Sequence, residues 1–506
     1  MLLVSRCLCH ASQNVTERLH PPVRLQREPI LRPEHPWEAR GVYFQGSVLK
    51  DGDTFRMWYS AIGQKRREEQ YCGYAESRDG LHWEKPLSRE RPCREWPETN
   101  VVYGQNFNIA APNVHFYAQP RGGHRFFMSF DSRIEQHQFQ FVPKVGGLTE
   151  ADKRRYMRHP NYTPDFDWRK FWPNDQQTYR ALYFADSTDG LRWEPVDARF
   201  GIAGMSDGDH TVAWDPAARL YRIYFRDNRI DDNGARIRQV VTATSPDTVE
   251  WSAPRLCLES DAIDDPRVNQ IHGMTVTQRD GVFIGLIQMM EIHQEAVAWN
   301  PLTPFEFARF HVQLAVSADG VRFHRVGERG EFFGTSGQEG TFDYGMVRCG
   351  GQWVFDGDRM LMYFDGRPYE HGQSDKQRAA GGDGLSTDVG IGVAESPMDR
   401  FAGLTPLDAS RPGHVVVALP EGARALALNC EVPEGAQITA SLRRPDGCRV
   451  LTHTDDLCLP IRRSALRAPL QWKGQSALPQ DIGPLHVRLR LTGAATAYAI
   501  YPERQL

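Results

Sequence analysis

The sequence predicts an all-β chain: a five-bladed β-propeller followed by a small C-terminal β-sandwich. Three observations lead there. A turn string recurs in three strong and two weaker copies, an aromatic-rich strand candidate stands ahead of each copy, and after about Ala409 the pattern changes to plain alternation.

The turn string reads apolar-small-x-Ser-x-Asp-Gly-x-x-aromatic. Its strong copies are YAESRDGLHW from Tyr74 to Trp83, FADSTDGLRW from Phe184 to Trp193 and LAVSADGVRF from Leu314 to Phe323; the weaker ones end at Trp251 and Phe401. Asp and Gly suit a tight turn and the aromatic fills space between blades, so the string is structural in this reading. Ahead of each copy lies a strand candidate, as in FRMWYS near Trp58, RFFMSF near Phe130, YRIYFR near Tyr224, VFIGLIQMM near Ile287 and RMLMYF near Tyr363. Aromatic and β-branched content of this kind suits strands packed on both faces. A further strand precedes each, across turns such as Asp51-Gly52 and Asp356-Gly357. Four antiparallel strands repeated five times describe propeller blades.

The copies lie further apart than the ~40 to 50 residues of compact propeller repeats, so long loops are inserted. The longest runs from about Ser132 to Thr178 and carries Trp168, Phe171 and Trp172. The tail alternates in HVVVAL, QITASL and LHVRLRL between Pro-Glu-Gly and Pro-Asp-Gly turns, as a sandwich would. The expected divisions are an N-terminal extension over 1–36, the propeller over 37–409 and the sandwich over 410–506.

Bulk properties limit the function classes. A length of 506 residues exceeds the roughly 250 to 300 at which single cores stop growing. A net charge of -4 gives no basic surface for nucleic acid, and no apolar run is long enough to span a membrane. The opening MLLVSRCLCHASQ reads as neither anchor nor signal peptide. Nine scattered cysteines without C-x-x-C spacing indicate neither a disulfide framework nor structural zinc, and fit a reducing, cytoplasmic setting.

In an antiparallel blade the first strand begins and the second strand ends on the same face, so residues at those places ring one mouth of the channel. Second-strand ends are Ser60, Asp131 and Arg133, Arg226 and Asp227, Glu291 and His293, and Asp365 and Arg367; first-strand starts are Glu38 or Gln45, Asn108 and Asn113, Asp207, Asp209 and His210, Gln270 and His272, and Asp343. Asp209, Glu291 and Asp343 are the expected catalytic acids. Glu38, Asn108, Asp227, His272, Trp168 and Arg367 are expected to bind substrate, while Trp37 packs between the first and last blades. Asp207, Asp209 and His272 carry possible ligand atoms, but no zinc or calcium spacing is present and no metal or cofactor is called for.

The blade pattern, the HPWE string at His35 to Glu38 and the tail LALNCEVPEGAQITASLRRPDG together resemble the five-bladed propeller glycosidases of glycoside hydrolase families 32, 43 and 68, most closely the bacterial family-32-like proteins. The resemblance spans nearly the whole chain and implies a carbohydrate substrate. The N-D-P-N, R-D-P and E-C strings that mark the acids of family 32 are absent, so catalytic roles do not carry across. The expected function is a glycoside hydrolase using paired carboxylates at the propeller mouth. Two alternatives stand beside it: a glycoside phosphorylase, with Arg133, Arg226, Arg348 and Arg367 as a phosphate pocket, and a non-catalytic carbohydrate-binding propeller.

Overall fold

A computed structural model describes the chain apart from residues 66–68, 106–107, 136–177, 197–201, 204–208, 231–235, 295–307, 373–388, 474–476, 481 and 504–506. The described chain is nearly all β, with 3-10 turns at Arg6–Leu8 and Pro36–Glu38. No helix among the described residues is long and apolar enough to cross a membrane. The expected loop over Ser132 to Thr178, with Trp168, lies almost wholly outside the described residues.

Antiparallel sheets follow one another along the chain. The first comprises Gly41–Asp51, Thr54–Ile62, Gln70–Ser77 and Val101–Tyr103; the second Ala110–Arg121, His124–Glu135, Thr178–Ser187 and Glu194–Pro195. The third comprises Thr211–Asp215, Leu220–Ile230, Arg236–Ser245 and Arg255–Glu259; the fourth Asn269–Arg279, Val282–Ile292, Ala308–Ser317 and His324–Arg325. The fifth, continuous with the fourth through a parallel pairing of Phe310 with Met346, places Met346–Arg348 and Val354–Asp356 against Arg359–Arg367, then Gly390–Pro397.

Consecutive sheets share apolar cores. Trp58 and Tyr74 pack with Phe126 and Met128 between the first and second, Phe127 with Tyr221 and Ile223 between the second and third, and Tyr224 with Met274 and Phe283 between the third and fourth. Leu286 and Leu314 meet Met360 and Met362 between the fourth and fifth. Val42 and Phe55 meet Leu361 and Tyr363 between the first and fifth, so the series closes on itself; Trp37 belongs to this last core.

The recurring turns latch these contacts. In each full copy the Asp carboxylate accepts two backbone N–H groups, at 2.8 and 2.9 Å for Asp79, and the Ser hydroxyl accepts the Gly N–H. The turn then receives a donor from the preceding sheet. Trp58 Nε1 donates to Gly190 O at 2.8 Å, Tyr224 OH to Gly320 O at 2.9 Å, and Tyr363 OH of the fifth sheet to Gly80 O of the first at 3.0 Å. In the weak copies a non-glycine residue takes the left-handed position: Thr248, at φ 67°, contacts Tyr117, and Asp399, at φ 58°, binds Arg279. Gly190 has φ 77°, and a Cβ there would stand 2.8 Å from the Trp58 ring. Gly190→Ala is therefore expected to cost about 1–3 kcal/mol in urea unfolding. A change within error would show that the turn is not constrained.

Polar side chains tie the first strands together where they converge. Asn113 Nδ2 donates to Gly46 O at 3.0 Å and Gly350 O at 3.1 Å, and Gln352 Nε2 to Val212 O at 2.8 Å and Val276 O at 3.0 Å. Beside them His115 accepts the Val212 N–H at 3.3 Å. Burial, with a smaller contribution from His210, lowers its pKa to about 3. The unfolded chain, with a His pKa of about 6.5, takes up a proton that the fold refuses. Stability contributed by neutral His115 is thus present above pH ~6.5 and lost as pH falls towards about 3. His115→Gln should flatten the pH dependence of the urea midpoint in this window by close to one proton; an unaltered slope would refute the assignment.

The tail forms two further sheets around one core that includes Leu428, Ile438, Leu489 and Trp472. One has the order Ala11–Gln13, Gly413–Ala418, His486–Thr492, Gln437–Arg443; the other Val15–Leu19, Ala402–Pro406, Thr496–Glu503, Ala425–Glu431, Ala465–Pro469. Two features bear on the expected divisions. The segment 1–36 is woven into these sheets rather than extending from them, and its Val23–Arg24 pairs with Gly390–Pro397 as the outer strand of the fifth sheet. Ala402–Pro406 pairs within the tail sheets, Leu404 against Ala497.

Candidate functional site

Several polar residues gather around Asp209. Asp209 precedes Thr211–Asp215, and a β-bulge between Ile271 and Gly273 lies beside it, at His272. A Cβ on Gly273 would meet the Asp209 carbonyl oxygen at 3.3 Å, so the absent side chain lets the two segments approach closely. Arg348 comes from the start of the fifth sheet, Arg226 from within Leu220–Ile230, and Asp365 from near the end of Arg359–Arg367.

Asp209 and Asp365 are fully buried, and Arg226, Arg238, Arg348 and His272 are buried. Neither Asp209 oxygen meets hydrogen-bond geometry with a described group, although the Gln45 amide is near enough to favour the charged form. Burial raises the Asp209 pKa above the usual carboxylate range; Arg348 and Arg226 oppose this and Asp365 adds to it. Asp365 is the ion-paired member, 3.4 Å from Arg348 and 3.5 Å from Arg367, whose guanidinium lies 4.4 Å from the Tyr43 ring centre.

His272 is depressed in pKa by burial first and then by Arg226, Arg348, Arg238 and His371, so the ring is neutral. Arg226 Nη1 lies 3.2 Å from its Nε2, and its Nδ1 lies 3.9 Å from Asp209 Oδ2. Arg238 Nη1 donates to Gln270 Oε1 at 2.7 Å.

The other expected residues lie in different surroundings. Asp343 is buried and receives Arg24 Nε at 2.6 Å, from the outer strand of the fifth sheet. Glu291 is exposed and stands across from Arg309, which binds Glu370 at 2.9 Å. Neither is among the main electrostatic neighbours of Asp209. Glu38 is fully buried: it pairs with Lys85 at 2.8 Å and accepts Tyr59 OH and the Glu34 N–H, so its oxygens are engaged in the protein. Asp227 accepts Gln239 Nε2 at 3.0 Å, and Asn108 Oδ1 accepts the Gln70 N–H at 3.4 Å. Trp168 and Asp207 lie outside the described residues. Among the described residues no group of three or more His, Cys, Asp and Glu is arranged to hold a metal ion.

Asp365 is the member that the choice of candidate acids passed over, and Arg348 was named only for a phosphate pocket. Asp365 was visible as a second-strand end, but its burial between guanidiniums leaves no local mark in the sequence.

No family model matches the chain. Over 90 residues it is 38% identical to a beta-1,2-mannobiose phosphorylase of Thermoanaerobacter sp. (strain X514), in a stretch covering 14% of this chain and 30% of that protein. The chain thus spans under a third of that relative's length. Among solved structures it is similar to a glycosyl hydrolase from Bacteroides ovatus, at 14% identity and a TM-score of 0.42 over 77% of this chain and 97% of that one. It is also similar to a thermostable family-43 glycoside hydrolase, at 14% identity and a TM-score of 0.43 over 70% and 90% of the two chains. A third is a Bombyx mori family 32 beta-fructofuranosidase, at 10% identity and a TM-score of 0.39 over 96% and 94%.

Proposed function

We propose that the chain is a glycoside hydrolase whose five sheets are the blades of a propeller, with the two tail sheets as a sandwich, and that Asp209 is its general acid. The observation that carries the reading is the contrast between two fully buried carboxyls: Asp209 raised in pKa by burial, Asp365 ion-paired to Arg348 and Arg367. Glycoside cleavage needs such a division, one carboxyl holding a proton for the leaving oxygen and another acting as base or nucleophile. Asp209 gives its proton to the glycosidic oxygen as the bond to the anomeric carbon breaks, and Asp365 serves the opposite face of the sugar. A panel of aryl glycosides and oligosaccharides tests this: turnover by the wild type that is lost in both Asp209→Asn and Asp365→Asn is expected. Turnover surviving in either variant would remove that residue from the mechanism.

A second reading, phosphorolysis, draws on Arg348 and Arg367 sharing the single carboxylate of Asp365, which leaves one guanidinium charge to meet an oxyanion. The similarity to a mannobiose phosphorylase accords with it. Strict dependence of turnover on inorganic phosphate would favour it over hydrolysis.

A further inference from the structure

We propose that His272 is a positioning residue, held by Arg226 in the tautomer that carries its proton on Nδ1, and that this N–H closes onto Asp209 as the carboxyl gives up its proton. The inference rests on Asp209 being the acid and adds how that acid is set to work.

A guanidinium can only donate hydrogen bonds, so at 3.2 Å from Arg226 Nη1 the His272 Nε2 is the acceptor. In a neutral ring the proton then sits on Nδ1, the nitrogen that faces Asp209 Oδ2 at 3.9 Å. That separation is one small movement beyond a hydrogen bond, and catalytic contacts commonly tighten only when substrate is bound. The edge of the Phe310 ring, with centroids 4.9 Å apart, and the bulge between Ile271 and Gly273 limit how the imidazole can turn.

The surroundings agree with this direction. Asp209 is faced by Arg348, Asp365, Arg226 and Gln45, and His272 by Arg226, Arg348, Arg238 and His371 as well as by Asp209. Three guanidiniums near the imidazole disfavour a second ring proton, so His272 does not compete with Asp209 as a proton donor. During cleavage the Asp209 proton goes to the leaving oxygen, which keeps the electron pair of the broken bond. His272 keeps its own proton, and only a hydrogen bond forms. Its effect is to steady the new carboxylate and so make Asp209 a better acid.

An asparagine amide nitrogen overlays Nδ1, whereas a glutamine amide overlays Nε2, so two variants separate the roles. His272→Gln is expected to lower kcat about ten- to hundredfold, the worth of one hydrogen bond to a charged group, with little change in KM. It should also move the alkaline limb of the pH–rate profile to higher pH by about one unit. His272→Asn should recover most of that rate and restore the limb. Equal losses in the two variants, or an unmoved limb in the Gln variant, would overturn the proposal. Turnover retained by Asp209→Asn in the same series would instead overturn the assignment of the acid. Neutron diffraction from the wild type needs no variant: deuterium on Nδ1 is expected, and deuterium on Nε2 alone would overturn the proposal.

Discussion

Asp209→Asn is expected to lower turnover by on the order of 10² to 10⁴ while the melting temperature holds or rises. The two halves of this expectation have separate causes. An amide keeps the shape of the carboxyl but has no proton to give, so the chemical step loses its acid. The fold loses little, because neither Asp209 oxygen makes a hydrogen bond with a described group and burial already disfavours its charged form. Removing a buried group that lacks such bonds is close to neutral, and relieves a desolvation cost wherever the group would otherwise ionise. Turnover and thermal unfolding measured on the same preparation decide the matter. A melting point lowered by several degrees would make Asp209 a structural charge balancing Arg348, and near-normal turnover would remove it as the acid.

Glu38→Ala is expected to cost about 3–5 kcal/mol of stability, because it strands a buried cation. The Lys85 side chain is 3% exposed and lies 2.8 Å from Glu38, while that of its other carboxylate neighbour, Glu34, is 60% exposed. The same substitution breaks a chain from Glu38 through Tyr59 to Asn100 and the Trp37 indole. Urea unfolding at neutral pH should record the loss, and KM per folded molecule should not change. A raised KM with intact stability would return Glu38 to the substrate-binding role expected from its place ahead of the first strand.

The repeating turns, and part of the polar cluster around Asp209, were legible in the sequence for the same reason. Turn chemistry and strand polarity are local, so the Ser-x-Asp-Gly strings located the turns, and counting along the strands put Asp209, His272, Arg226 and Asp365 among the residues to weigh together. The differences come from long-range pairing. Nothing near Asp343 announces Arg24, which arrives from the other end of the chain at 2.6 Å. Glu291 follows an unbroken run of buried residues from Val282 to Met290 and is itself exposed near the strand's end, a change of surroundings that no alternation in the sequence marks. Glu38 looked available because a lysine many residues away, Lys85, cannot be matched to it from sequence alone.

The threading of the first residues through the last sheets has a consequence for biosynthesis. Ala11–Gln13, Val15–Leu19 and Val23–Arg24 leave the ribosome hundreds of residues before their partners Gly413–Ala418, Ala402–Pro406 and Gly390–Pro397. At ~5–20 residues per second, those early strands wait on the order of tens of seconds with open edges. Unpaired edges recruit other strands, so this interval is when a nascent chain is most prone to aggregate. Pairing of these strands thus waits for residues 390–418 to be made, and the yield of folded protein becomes sensitive to translation speed and to holdase chaperones that shield the waiting segment.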